Sequence, residues 1–194
     1  MDTAKMEAGI RLFLEGIGPA AGPSDVAETP ARVACAWADD LIAGYAVDPA
    51  SELTWTDAPE GCGPVLVRDV RFASVCVHHL LPFAGEAHLA YLPRHRLAGL
   101  SKLGRVVDAW SRRLQIQERL TEQIRATLDA VLAPRASVVL LEAEHTCMTL
   151  RGVRKEGSRL TTLSAGGAWA SDAAARREIL DLLAPGRRGP TPSA

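Results

Sequence analysis

"VLVRDVRFASVCVHHLLPFAGEAHLAYLP", residues 65–93, is the stretch on which the fold turns. Up to Cys76 it alternates and is rich in β-branched residues, the pattern of a strand with one face buried. From Gly85 onward, "GEAHLAYLP" reads as its partner, so the stretch folds back on itself. The turn between the two limbs is chemically dense. It sets Cys76, His78 and His79 within four positions, in a chain that has four cysteines and five histidines.

Downstream, "GLSKLGRVVDAWSRR" (99–113) places Leu103, Val106, Val107 and Trp110 at helical spacing. "QERLTEQIRATLDAVL" (117–132) does the same with Leu120, Ile124, Leu128 and Val131, and Pro134 ends it. "ASVVLLEAEHTCMTLRGV" (136–153) is expected as a strand with a continuous apolar half, "RLTTLSAGGAW" (159–169) as its hairpin partner, and "DAAARREILDLL" (172–183) as a closing helix. Upstream, Met6, Ile10, Phe13, Leu14 and Ile17 predict an amphipathic helix over 4–17, which the breaker-rich "GPAAGPSD" (18–25) ends. A second helix runs through "VAETPARVACAWADDLIAGY" (26–45), with Val33, Trp37 and Leu41 on one face. Its start is either Ser24 or Asp25 as cap, or Thr29 as cap with Pro30 in the first helical position. "DPASELTWTDAPEGCGP" (48–64) reads as a turn-rich linker. Strands in hairpin pairs with a helical pair between them make an α+β pattern, not an alternating one. The chain then divides into an N-terminal helical extension (1–50), a main domain (51–184) and a tail (185–194) whose composition disfavours order.

Composition sets the outer bounds. The chain has 194 residues, 47% of them hydrophobic and 23% charged, which is enough for a sizeable core and ordinary for a soluble domain. A net charge of −1 argues against electrostatic capture by nucleic acid or by an anionic membrane, and leaves room for a local basic cluster that binds a small anion. No apolar run reaches the length of a membrane span. Charges run through "MDTAKMEAGIRLFLEGIG", unlike the apolar segment of a secretory signal, so a cytoplasmic location is expected. Cys35, Cys62, Cys76 and Cys147 then read as free thiols or metal ligands rather than as disulfides.

Cys76 and His79 are spaced to clamp one ion from a turn. A third ligand comes best from "EHTCM", where His145 and Cys147 stand two apart on an expected strand and so on one face. Cys76, His79 and Cys147 give two sulfurs and one nitrogen, a set that suits zinc and leaves a fourth position for water. His78 and His145 remain beside the metal as candidate acid and base groups. His88 reads as a strand or interface residue, Cys35 and Cys62 as incidental thiols, and Trp37 and Trp110 as core.

Taken together, "TPARVACAW", "CVHHLLPFAGEAHLAYLP", "GLSKLGRVV", "SRRLQIQERLTEQI" and "EAEHTCMTLRGV" resemble, in order and spacing, the motifs of the GTP cyclohydrolase I family over roughly residues 27–180. The resemblance implies a tunnelling fold and a homodecamer whose sites lie between neighbouring chains. It implies a zinc-activated water that opens the imidazole ring of GTP, releases formate and leads to 7,8-dihydroneopterin triphosphate, the precursor of pterins and tetrahydrofolate. It assigns zinc to Cys76, His79 and Cys147 and proton transfer to His78 and His145. Ser101, Lys102 and Arg105 at the start of a helix form an anion site suited to a triphosphate, with Arg151 and Arg32 as further cations. Glu118 would accept two hydrogen bonds from the guanine N1–H and 2-amino group, with Gln117 as a weaker candidate for the same pocket.

Three departures from the family pattern stand out. Val77 replaces the acid of the usual Cys-Glu-His-His, Cys35 replaces a lysine three residues after Arg32, and "PSDV" replaces the usual "RxGL". Two further readings share the same residues. One is a specialised paralogue that stops at a ring-opened or deformylated pyrimidine. The other is a non-catalytic module that binds a purine or pterin, which the intact set of metal-type residues argues against.

Overall fold

Pro30 helps decide where the second helix starts. It lies in the first turn of α2 (Thr29–Ala36), where a missing N–H breaks no helical bond. In the computed structural model, which describes residues 1–18, 22 and 24–183, α2 packs back on α1 (Thr3–Ile17). The expected tail, 185–194, lies outside the described residues. Glu28 is the N-cap and makes no side-chain capping bond, so none of Ser24, Asp25 and Thr29 plays the expected part. Beyond Ala36 the helix widens to a π-turn at Trp37–Leu41 and tightens to a 3-10 turn at Ala43–Ala46. Trp37 is only half-buried and Leu41 is exposed. Gly44 seats this segment on the rest of the chain, since a Cβ there would meet the Ala109 carbonyl at 2.4 Å.

The expected linker contains a strand. Trp55–Asp57 forms β1 and pairs antiparallel with Arg96–Ala98, which is β4. Three residues carry no readable alternation, which is why the pattern missed it. β2 (Val65–Cys76) and β3 (Pro82–Leu92) form the expected hairpin, in register from Val65↔Tyr91 to Val75↔Pro82. A bulge between Val67 and Val70 interrupts it, with Asp69 at a φ of 59°.

Two helices follow as expected, α3 (Leu100–Ser111) and α4 (Gln117–Leu132), joined through the two-residue strand β5 (Leu114–Gln115). β6 (Ala136–His145) pairs antiparallel with β3 and with β7 (Leu160–Gly167). The result is one five-stranded sheet in the order β5-β2-β3-β6-β7, antiparallel except for the short parallel β5–β2 pair. Gly85 permits the close approach of β3 to β6, where a Cβ would lie 1.9 Å from the Glu142 carbonyl.

The sheet is covered on both faces. Leu103, Val106 and Val107 of α3 and Leu120, Ile124 and Leu128 of α4 pack with Phe72, Phe83, Leu89 and Val139 in the larger core. On the other face Trp169 of α6 (Ala168–Ser171) and Ile179 and Leu183 of α7 (Ala173–Leu183) cover Ala90, Ala136 and Val138. Two covered faces explain the continuous apolar run that opens β6. Trp110 is half-buried and packs against the larger core, its indole N–H donating to Thr127 Oγ1 at 2.9 Å. The hairpins and intervening helices of the α+β reading stand, with the short strands β1, β4 and β5 and the single-turn helices α5 (Thr146–Thr149) and α6 added.

Candidate metal centre

The β2–β3 turn brings the two ends of the cluster together. The Cys76 N–H donates to the Leu81 carbonyl and the Leu80 N–H to the Cys76 carbonyl, each at 2.9 Å. Closing so tight a turn puts Leu80 at a φ of 55°, a conformation that branched side chains resist. The Val77 N–H donates to the Gln115 carbonyl of β5, which pins the turn to the sheet edge. Both histidines of the turn then hold Nδ1 at 3.9 Å from the Cys76 sulfur and project into the open, exposed.

The third member arrives by a different route from the one the sequence predicts. β6 ends at His145, and Cys147 stands on the single turn of α5. The two residues therefore do not share a strand face. The turn nevertheless delivers the Cys147 sulfur to the cluster. Cys76, His79 and Cys147 place one ligand atom each within 4.8 Å of one another, and His78 stays outside that set. Sulfur–sulfur and sulfur–nitrogen separations of this size are those of ligands around one tetrahedral ion, so the residues fit zinc in kind and in spacing. Burial and the neighbouring Cys76 push the Cys147 thiol up from its ordinary value, and Arg151 opposes the shift. Arg151 thus lies near the cluster, on the exposed segment after α5.

His145 is gripped rather than loose. Its ring stacks on Phe83 with centroids 4.3 Å apart and planes 6° from parallel. Its Nε2 lies 2.8 Å from Gln117 Oε1. Burial lowers its pKa from the ordinary value, and the nearby Glu118 carboxylate works the other way. Glu118 is exposed in the first turn of α4, beside the buried Gln117. Cys76, His79, Cys147, Glu118, Gln117, His145 and Arg151 are thus gathered at one end of the sheet. Phe83 is the partner that the sequence reading missed, because nothing in "LLPF" signals a stacking ring.

The expected anion site lies elsewhere. The end of α3 meets the metal end of the sheet, where Ser74 Oγ donates to the Arg113 carbonyl at 3.3 Å. Its beginning meets the opposite end of the hairpin, where the Ala98 N–H donates to Tyr91 Oη at 2.9 Å. About 15 Å of helix separates Ser101 from Ser111. Ser101 and Arg105 are exposed, Lys102 is half-buried, and Arg105 reaches Glu52 at 3.5 Å. Arg32, on α2, is paired with Glu28. His88 is buried in β3 as a strand residue, its Nδ1 accepting from the Asp69 N–H at 3.2 Å. Asp69, Glu86 and His88 form a second group of metal-type atoms, but that hydrogen bond occupies the imidazole lone pair facing Asp69. Among the described residues no helix is long and apolar enough to cross a membrane.

The sequence profile of GTP cyclohydrolase I matches residues 6–184. The chain is 43% identical over 183 residues to the GTP cyclohydrolase 1 of Rhodopirellula baltica, covering 94% of this chain and 80% of that one. It is 44% identical over 180 residues to that of Streptococcus pyogenes serotype M18, covering 92% of each. It is 43% identical to that of Carboxydothermus hydrogenoformans, covering 94% and 95%. Among solved structures, an archaeosine synthase QueF-like protein in its apo form overlaps 56% of this chain and 98% of its own, at a TM-score of 0.48 and 17% identity, a likeness too loose to argue from.

Proposed function

The chain belongs to the GTP cyclohydrolase I family, and from that premise we propose that it is a zinc enzyme that opens the guanine imidazole ring of GTP. The net reaction is GTP plus water to formate plus 7,8-dihydroneopterin triphosphate. The observation that carries this reading is the convergence of Cys76, His79 and Cys147 within 4.8 Å beside the clamped His145. Those three residues would hold the metal. When bound, zinc supplies a Lewis acid that polarises water for attack on the ring carbon between the two imidazole nitrogens.

The chain's own groups supply the rest. His145, with burial favouring its neutral ring, takes or returns protons at the opening ring. His78, exposed on the same turn as His79 but outside the ligand set, serves as a second proton carrier. The Glu118 carboxylate accepts from the guanine N1–H and 2-amino group, a donor pair that adenine lacks. Ser101, Lys102, Arg105, Arg151 and Arg32 face the triphosphate.

Lys102 and Arg105 stand at the far end of α3 from their own chain's cluster, which supports a site completed by a neighbouring chain. Leu12 and Phe13 on α1 and Leu100 at the start of α3 are each about two-thirds exposed or more (68%, 67% and 74%), which supports burial of these surfaces in an assembly, the homodecamer of the family. The test is metal removal. A chelator should abolish formate release from GTP, and stoichiometric zinc should restore it. Full turnover in a zinc-free chain contradicts the reading.

Val77 supports a second reading. It leaves the turn without the acid usual in the family, and at 38% exposure it has no buried role of its own. A product that stops at a formamido- or diaminopyrimidine would follow if that acid is needed for the later proton transfers.

A further inference from the structure

We propose that Gln117 is a positioning residue that fixes the neutral His145 ring in the tautomer with its hydrogen on Nε2, leaves the Nδ1 lone pair free, and does not itself contact substrate. The place of the hydrogen follows from hydrogen-bond geometry alone, and only its effect on turnover rests on the proposed role of His145. Gln117 is 1% exposed, so its amide is committed to the protein. One end of that amide lies 3.1 Å from the Leu141 carbonyl, 2.9 Å from the Leu160 carbonyl and 3.1 Å from Thr162 Oγ1. Backbone carbonyls only accept, so this end is the NH2 group. The other end is therefore the oxygen, and it faces His145 Nε2 at 2.8 Å. An amide oxygen only accepts, so Nε2 carries the hydrogen, and in the neutral ring Nδ1 does not.

Neither alternative survives the geometry. Flipping the amide would set its oxygen against two carbonyls. Flipping the imidazole would set a ring carbon against the amide oxygen, and the near-parallel stack on Phe83 keeps the ring in this plane. The surrounding hydroxyls hold Gln117 still. Thr121 Oγ1 donates to the backbone carbonyl of Gln117 at 2.7 Å and lies 2.6 Å from Thr162 Oγ1. One amide thus ties α4 to β6 and β7 and registers His145 against Glu118, the next residue in the chain.

The proton can be located by solid-state 15N NMR of histidine-labelled protein, with His145 assigned by its loss in His145→Ala. The expected spectrum has Nε2 protonated and Nδ1 bare. Gln117→Met should abolish that preference and lower kcat roughly tenfold to a hundredfold, the scale on which an orienting partner acts, with KM and zinc content little changed. Gln117→Glu should recover most of the loss. A carboxyl facing two carbonyls is held protonated, so it keeps an oxygen for His145 and one donor. A wild-type His145 protonated on Nδ1 would overturn the proposal. So would an unaltered kcat in Gln117→Met, or a loss confined to KM, which would mark Gln117 as a substrate contact. Should Gln117→Met fail to fold, the wild-type spectrum and Gln117→Glu still decide. Normal turnover in His145→Ala would sink the proton-carrier reading instead, a separate result from where the wild-type proton resides.

Discussion

Cys147 closes the ligand set from a single helical turn, so its loss should remove the metal without removing a core side chain. We expect Cys147→Ser to lose zinc and GTP turnover while retaining the wild-type far-UV circular dichroism. Full zinc by metal analysis in that variant would contradict the assignment. The two neighbours on the β2–β3 turn should separate. His79→Ala should lose zinc, whereas His78→Ala should keep it and lose turnover by about a hundredfold to ten-thousandfold, the worth of a placed proton carrier. His78→Ala that loses zinc, or that turns over normally, would break the division of labour. Glu118→Gln sets a donor against the guanine's own donors, a mismatch of about 1–3 kcal/mol. It should therefore weaken GTP recognition about tenfold to a hundredfold at unchanged zinc content, and unaltered GTP affinity would remove Glu118 from the pocket.

At the scale of elements, β3 and β6 carry the site, and their contact is tight. Gly85→Ala would drive a Cβ into the Glu142 carbonyl and the Ala143 backbone, and should cost about 2 kcal/mol or more by urea unfolding. β3 also buries His88, whose pKa is lowered by burial against the opposing pull of Asp69, Glu86 and Glu142. A depressed folded pKa means that this contribution to stability is fully present above the ordinary value near 6.5. It is lost as pH falls from there through the lower folded value. In zinc-free protein, wild type should lose more stability between pH 7.5 and 5.5 than His88→Gln does, by urea midpoint, and equal slopes would refute it. Much of this layer was legible in the sequence. The alternation of Val65–Cys76, the helical spacing in α3 and α4 and the apolar opening of β6 each fixed an element, because burial patterns survive in sequence. The break of β6 at His145 was not legible, since "HTCM" carries neither proline nor glycine to announce a turn. Nor were β1, β4 and β5, whose two or three residues hold their place only through partners distant in sequence.

The whole molecule raises the question of how its cations meet its metal ligands. The motif that names Lys102 and Arg105 is plain in the sequence, but the helix that carries them leads away from the cluster. A chain with Lys102→Ala and a chain with Cys147→Ser should each be inactive alone. Unfolded and refolded together, they should regain a fraction of wild-type turnover if sites are completed between chains, and no recovery would speak for sites made within one chain. The central claim is that this chain opens the guanine ring of GTP at the Cys76–His79–Cys147 centre. It is tested most directly by incubating the zinc-loaded protein with GTP and separating the products by mass. The account predicts formate and 7,8-dihydroneopterin triphosphate in equal amounts, both absent with Cys147→Ser. GTP left unconsumed by the zinc-loaded wild type would contradict it.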